Sequence, residues 1–199
     1  MDEIDRPTDD AGQDLRVRRT RRMLQGALVD LALEKPFDAI TVRDLTNRAG
    51  IGYATFFRHY SSKEELVRAM LQGLLGELLA KVRPYEESDP AGAALVVFRH
   101  AAQNVQLYRL LLRTSNSSVE LLGEVIRVGS EAVGRSYRSR PGSTVPFEVA
   151  AQHLVRSFVN LTEWWLESGM PYSPEEMAQI FDELLRRPLL ETVFELRRE

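Results

Sequence analysis

Apolar residues recur at helical spacing along most of the chain, and no stretch shows the strict alternation of apolar and polar residues that is typical of a strand. The segments with this spacing are 24–32, 66–79, 91–103, 104–112, 119–137, 147–168 and 174–187. Prolines and glycines lie between several of them, where they end helices. The pattern therefore predicts an all-α fold.

One segment, 41–63, predicts two short helices joined by a tight turn, with a third helix following. Thr41 stands where a side-chain oxygen caps a helix, and Gly50 stands where a left-handed residue ends it. A short helix over Tyr53–His59 follows. Ser62 and Glu65 then have the spacing of a capping box. Helix, glycine turn and short helix form a helix-turn-helix layout.

Composition and proline positions predict the division of the chain. Residues 1–15 are acidic and have no apolar period, so we expect a disordered tail. The helix-turn-helix domain is expected at 16–62, a connecting helix at 63–82, and a helical body for ligand binding and dimerisation at 83–199.

Net charge is −3, but the charges are unevenly distributed. Residues 16–63 have a net charge of +6, residues 1–15 of −5 and residues 64–199 of −4. A basic segment on an acidic body is typical of a protein that binds phosphate with one part only. An ordinary solvated surface would be the alternative without the helix-turn-helix pattern.

Five arginines precede the first apolar helix: Arg16, Arg18, Arg19, Arg21 and Arg22. They admit two interpretations. They are either the solvated face of that helix or an arm that reaches phosphates and the minor groove, and we favour phosphate contact.

Patterns typical of enzymes are missing from the sequence. The histidines, His59, His100 and His153, have no metal-ligand spacing, and there is no cysteine. There is also no nucleophile elbow and no phosphate-binding glycine loop. We therefore expect neither catalysis nor a cofactor or metal. The acidic start and the absence of a long apolar run lead us to expect a soluble cytoplasmic protein that does not bind membranes.

Three patterns in the first part of the chain together resemble a known family. They are a Thr-led helix ending in Ala-Gly, the run Ile-Gly-x-x-Thr-Phe-Phe-Arg-His-Tyr, and Ser-x-Lys-Glu-Glu-Leu. In this order they are similar to the DNA-binding domain of the TetR (tetracycline-repressor) family, over about residues 18–70. The remainder resembles the family only in length, helical pattern and the stretch Trp164–Glu176.

The resemblance implies that the helix Tyr53–His59 lies in the major groove of duplex DNA. It implies roles at bases or phosphates for Thr41, Arg43, Gly52, Tyr53, Thr55, Phe57, Arg58, His59 and Lys63. Arg58 either reads guanine or clamps a phosphate. Phe57 stands where the family commonly has Tyr, so one phosphate hydrogen bond is lost there. Phe56 and Tyr60 are expected in the core, and Phe57 either in the core or at DNA.

A single helix-turn-helix buries too little surface to be selective, so we expect a homodimer on a near-palindromic operator. Helices around 147–168 and 174–187 are expected to form a four-helix interface.

The resemblance also implies a pocket for a small apolar or amphipathic effector. Its candidate lining residues are Phe98, Tyr108, Leu112, Phe158, Leu161 and Trp165, with Tyr108 or His153 to orient the guest. Each of these residues can also be ordinary core. Two functions remain open: a repressor released by an effector, or a DNA-bound adaptor whose body binds a protein partner.

Overall fold

A computed structural model of the chain describes residues 10–85, 89–117 and 119–197. The chain divides into an N-terminal unit, Met1–Met70, and a C-terminal unit, Leu71–Glu199. The division falls inside a helix, whereas the sequence analysis gave that helix a segment of its own. The family resemblance and the structure agree on an all-α fold.

The N-terminal unit is a set of helices around one apolar core. Its helices are α1 (Asp10–Glu34), a 3₁₀ turn (Phe37–Ala39), α2 (Val42–Ala49), α3 (Tyr53–Phe57) and the start of α4 (Lys63–Val82). Leu28, Leu45 and Phe56 are fully buried, one from each of the first three α-helices. The core therefore fixes α2 and α3 against α1.

Helix α1 begins at Asp10, so the expectation of a disordered tail through residue 15 is wrong for residues 10–15. Asp14 forms an ion pair with Arg18 one turn later, at 2.9 Å. Such pairs, and acidic residues near a helix N-terminus, favour helix in a segment without an apolar period. The rest of the predicted tail, residues 1–9, lies outside the described residues.

The C-terminal unit is also helical. It contains the rest of α4, a 3₁₀ turn (Arg83–Tyr85), α5 (Pro90–Gln103), α6 (Val105–Ser117), α7 (Val119–Ser136), α8 (Phe147–Glu167), α9 (Pro174–Phe181), a π-helical turn (Asp182–Arg186) and α10 (Arg187–Thr192). Phe98 and Trp165 are fully buried and meet edge to face at 5.5 Å. This contact ties α5 to α8 at the centre of the unit.

A short antiparallel strand pair closes the C-terminal unit: β1 (Tyr137–Ser139) pairs with β2 (Phe194–Leu196). Tyr137 pairs with Leu196, and its ring stacks on Phe194 at 5.3 Å. The sequence analysis found no strand, because three residues are too few to show alternation. Within the described residues, no helix has the length and apolar character needed to cross a bilayer.

Candidate nucleic-acid interface and internal cavity

Helix α2 starts with the cap that the sequence predicts. The Thr41 hydroxyl accepts a hydrogen bond from the Asp44 amide at 3.1 Å, and the Asp44 carboxylate accepts one from the Thr41 amide at 2.8 Å. Lys35 also binds that carboxylate, at 2.7 Å. The Lys35 hydrogen bond, followed by those from Thr41, holds the pKa of Asp44 well below its usual range. Thr41 is therefore committed to the cap through its side chain.

The turn between α2 and α3 contains two glycines, of which one is required by its backbone conformation and the other is not. Gly50 has φ +65° and ψ 33°, a left-handed conformation that side chains disfavour. Gly52 has φ −69°, and a Cβ there would meet only the Thr55 hydroxyl oxygen, at 3.6 Å. The fold thus requires glycine at 50 and does not require it at 52. Gly52 leaves the start of α3 open to close approach from outside.

Helix α3 has a buried side and an exposed aromatic side. Phe56 is fully buried and Tyr60, just after the helix, is 5% exposed, as the sequence analysis expected. Tyr53 and Phe57 are 54% and 47% exposed, and their rings meet edge to face at 5.2 Å. Phe57 is therefore a surface residue next to Tyr53. Exposed aromatic rings beside cations are suited to contact with a partner rather than to packing.

Thr55, Arg58 and His59 lie at the same end of this surface. The exposed Arg58 guanidinium donates to the Thr55 hydroxyl at 3.0 Å, which orients it along α3. Burial, then the charges of Arg21 and Arg58, lowers the pKa of His59 below its ordinary value. Two arginines close enough to lower that pKa form an anion-attracting cluster, and one of them comes from α1.

The arginines of the basic segment fall into two sets. Arg18 and Arg48 bind the carboxylates of Asp14 and Glu34, and the Arg48–Glu34 distance is 2.7 Å. The arginines that form no ion pair with a described residue are Arg16, Arg19, Arg21, Arg22, Arg43 and Arg58. This second set leaves the N-terminal unit with cations that an external polyanion can neutralise.

Lys63 is engaged inside the protein. Its ammonium donates to the carbonyls of Phe37 and Ile40, each at 2.9 Å, and of Asp38, at 3.2 Å. It also lies 4.5 Å from the centre of the Phe37 ring. Since an ammonium has three donors, this geometry uses all of them. The expected phosphate contact is therefore replaced by a structural role, in which Lys63 holds the turn before α2.

The C-terminal unit contains a cavity of about 250 Å³ that is partly open to the surface and is lined by residues of α4 to α8 together with Tyr137, Phe181 and Arg186. Its wall is almost entirely aliphatic and aromatic. Tyr108, Leu112 and Phe158 line it, as the sequence analysis expected.

The other three expected lining residues do not line this cavity. Phe98 and Trp165 pack against each other in the core, as described above, and Leu161 is also not part of the wall. His153 is exposed on α8. Helical spacing identified the apolar helices but could not tell which turn of each faces the cavity.

The sequence analysis missed much of the wall on α4 and α7, including Gly129 and Ser136, and it missed Arg186. A Cβ at Gly129 would lie 2.7 Å from a Val155 methyl group, so this glycine permits the close approach of α7 and α8. A glycine inside an apolar helical pattern is a signal that could have pointed to this approach.

His100 is buried and connects the cavity wall to a surface carboxylate. Its Nδ1 lies 3.1 Å from the Tyr108 hydroxyl, and its Nε2 lies 3.1 Å from the Glu77 carboxylate. Burial, followed by the Glu77 charge, raises the pKa of Tyr108. The Tyr108 hydroxyl is therefore neutral and already paired. Among the described residues, no cluster of His, Asp or Glu could hold a metal ion.

Two family models match the chain. The model described as bacterial regulatory proteins of the tetR family matches residues 26–70, and one described as the transcriptional regulator C-terminal region matches residues 89–187. The chain belongs to the TetR family. The first match contains α2, α3 and the exposed aromatic surface, and the second contains most of the helices around the cavity.

Individual relatives agree with this TetR assignment. The chain is 29% identical over 179 residues to YxbF of Bacillus subtilis (strain 168), an uncharacterized HTH-type transcriptional regulator, over 86% of this chain and 46% of YxbF. It is 30% identical over 109 residues to an HTH-type regulator of Haemophilus influenzae, over 50% of this chain and 52% of the relative. The chain thus spans about half the length of these two relatives.

A solved structure shares the fold. The TetR transcriptional regulator from Streptococcus agalactiae 2603V has a TM-score of 0.68 at 22% identity, over 89% of this chain and 99% of that chain. The relatives are transcriptional regulators, in agreement with the prediction that this TetR-family chain is not an enzyme.

Proposed function

We propose that this TetR-family chain is a sequence-specific DNA-binding repressor, which acts as a homodimer on a near-palindromic operator and is released by a small, largely apolar effector. The surface of α3 carries the DNA part of the proposal. Gly52, Tyr53 and Phe57 leave this surface exposed, and Arg21 and Arg58, which form no ion pair with a described residue, lie near His59 beside it. Bound in the grooves of a promoter, such a dimer blocks access to that duplex.

Arg58 is the proposed base reader. It is exposed, oriented by Thr55, and has no carboxylate partner among the described residues. Bidentate contact with guanine O6 and N7 contributes about 1–3 kcal/mol of discrimination. Arg43, exposed near the start of α2, is a proposed phosphate contact, because the amide groups at a helix N-terminus favour an anion there.

Residues of α8 support the proposed dimer. Val149 and Trp164 are 59% and 48% exposed, and a separation of fifteen residues places them on roughly the same side of the helix. Leu184, in the π-helical turn after α9, is 66% exposed. Large exposed apolar residues on neighbouring elements are typical of a protein–protein interface. A dimer places two recognition helices at half-sites about 34–36 Å apart or multiples of that distance.

The cavity supports an effector over the alternative of a DNA-bound adaptor. An adaptor needs an exposed apolar groove for its partner, whereas an effector needs a concave apolar pocket in each body. The C-terminal unit supplies a concave apolar space of about 250 Å³ that is walled by five helices and partly open to the surface, a size that suits a small molecule. An effector that favours the DNA-incompetent state by about 1–3 kcal/mol is sufficient for release.

Selection of bound fragments from random duplex DNA tests the proposal, followed by titration of the selected operator at several salt concentrations. We expect Arg58→Ala to weaken operator binding by about 5- to 160-fold and to relax preference at one base pair. Arg43→Ala should weaken all duplexes similarly and reduce the salt slope by about one.

Arg48→Ala is the matched control, because Arg48 is already paired with Glu34. It should bind the operator nearly as the unmodified protein does. Recovery of no preferred duplex from the selection, with the fold intact by circular dichroism, contradicts the proposed function. Equal loss in all three arginine variants contradicts the assignment of Arg58.

A further inference from the structure

The cavity of the C-terminal unit is elongated. Its wall includes Val125 and Ser136 on α7, and Leu71 and Val82 on α4. Each pair is eleven residues apart, which corresponds to about 16 Å along a helix. An apolar space of this length fits an extended chain or a flat fused ring better than a compact polar molecule.

Most polar groups on the wall already have partners within the protein. The Tyr108 hydroxyl is bound to His100, and the Thr162 hydroxyl donates to the Phe158 carbonyl at 2.8 Å. Arg186, the one charged side chain described on the wall, is bound to Asp182. None of these groups needs a hydrogen bond from a guest.

Arg186 is poorly placed to receive an anionic guest. Its Asp182 partner is only 17% exposed, and a carboxylate guest would have to compete with it for the guanidinium. Arg187 would still hold Asp182, at 3.0 Å, but the displaced carboxylate and the new one would then share a site with little water. Burying an additional charge in apolar surroundings is costly without a partner of its own. The wall therefore disfavours carboxylates.

Ser136 differs from the other polar residues of the wall. It is 7% exposed, it lines the cavity at the end of α7, and its hydroxyl has no hydrogen-bond partner among the described residues. The Ser136 side-chain oxygen is accessible from the cavity rather than sealed inside the protein, so a bound molecule can supply a hydrogen bond to it.

We propose that the effector is an uncharged, elongated, apolar molecule with a single hydrogen-bonding end group, such as a hydroxyl or a carbonyl, which binds Ser136. This inference rests on the proposed effector-released function and narrows its ligand class. The apolar body of the guest would lie between α4, α7 and α8, and its end group would point to the junction of α7 and β1.

Displacement of a neutral fluorescent probe from the full-length protein tests the inference without DNA. The probe is N-phenyl-1-naphthylamine, and the competitors are 1-decanol and decanoate at pH 8, which have the same chain length and different end groups. We expect 1-decanol to displace the probe and decanoate to do so at least tenfold less well. Ser136→Ala should weaken 1-decanol about three- to tenfold, the usual effect of one hydrogen bond.

Two controls separate binding at Ser136 from general hydrophobicity. Ser157→Ala makes the same change on α8, away from the cavity wall, and should leave 1-decanol binding unchanged. Ala132→Phe fills the cavity and should abolish displacement, whereas Ala80→Phe, at an exposed position of α4, should not.

Decanoate binding as tight as that of 1-decanol, with loss in Arg186→Gln, would overturn the inference in favour of an anionic effector. Equal 1-decanol affinity in Ser136→Ala, or no binding of the probe and both competitors, would also overturn it. The operator titration is separate: a protein that binds 1-decanol in this way but selects no duplex contradicts the proposed function and leaves the inference about ligand chemistry standing.

Discussion

Both units are helical, but they differ in where polar side chains without a described partner lie. In the N-terminal unit these side chains are on the outer surface, and in the C-terminal unit one lines the cavity. In the N-terminal unit the core is filled by Leu28, Leu45 and Phe56, and unpaired arginines lie outside. In the C-terminal unit the helices leave an apolar space, and Ser136, whose hydroxyl has no partner within the described part of the chain, lies on its wall. The surface of the N-terminal unit is thus suited to a charged polymer, and the cavity of the C-terminal unit is suited to an apolar molecule.

The largest effect is expected from Phe56→Ala, which removes the fully buried ring from the N-terminal core. Replacement of a buried Phe by Ala typically costs about 3–5 kcal/mol through lost burial and the cavity left behind. Phe57→Ala, on a ring that is 47% exposed, should change stability little and lower DNA affinity. Urea denaturation and operator titration measure the two effects. Similar destabilisation by both variants would place Phe57 in the core.

Two glycines of α7 separate close packing from open helix surface in the C-terminal unit. A Cβ at Gly129 would lie 2.7 Å from Val155, whereas a Cβ at Gly123 would meet nothing within 4 Å. Gly129→Ala should therefore be less stable than Gly123→Ala by about 1–3 kcal/mol, the usual cost of overpacking. Gly123→Ala itself should be stabilising, since Ala favours helix. Thermal denaturation of both variants gives the difference, and equal melting temperatures would mean that α7 and α8 separate easily.

In the turn before α3, two glycines that are two positions apart separate an effect on folding from an effect on DNA binding. Gly50→Ala should destabilise the N-terminal unit by about 1–2 kcal/mol, because its backbone is left-handed. Gly52→Ala should fold normally and bind the operator more weakly, because only the proposed DNA contact needs the space there. Denaturation and titration together distinguish them. Unchanged operator affinity in Gly52→Ala would remove Gly52 from the interface.

The smallest effect is a pH dependence of DNA affinity through His59. Burial and two arginines lower its pKa in the free protein, whereas a nearby phosphate would raise it in the complex. The complex would then bind more protons than the free protein, so affinity should rise as pH falls through the pKa of bound His59 and level off below that of the free protein. One proton limits the slope to about tenfold per pH unit. His59→Gln should flatten this part of the profile, and an unchanged slope in that variant would assign it to another group.

Local patterns predicted the N-terminal unit well, because each feature there depends on neighbours in sequence. The Thr41 cap, the left-handed Gly50 and the burial of Phe56 all follow from residues within a few positions. The second predicted cap shows a limit. Ser62 accepts from the Glu65 amide as expected, but Glu65 reaches back to the amide of Ser61 rather than Ser62.

Contacts between distant residues could not be read from the sequence. Lys63 reaches carbonyls more than twenty positions away, and charge alone suggested a phosphate contact instead. The cavity depends on which turns of five helices face one another, so three of the six expected residues line it and three do not. Strand β2 forms because Phe194 stacks on Tyr137, a pairing between positions 57 residues apart.

The π-helical turn at Asp182–Arg186 determines the rotational position of the residues that follow it, which form α10 and β2. Removing one residue there would restore uniform α-helical winding, but each residue of an α-helix advances by about 100°. Arg186 would then rotate off the cavity wall, and Phe194 would lose its register against β1. A single codon deletion in this segment is thus expected to alter both the lining of the cavity and the strand pairing that closes the C-terminal unit.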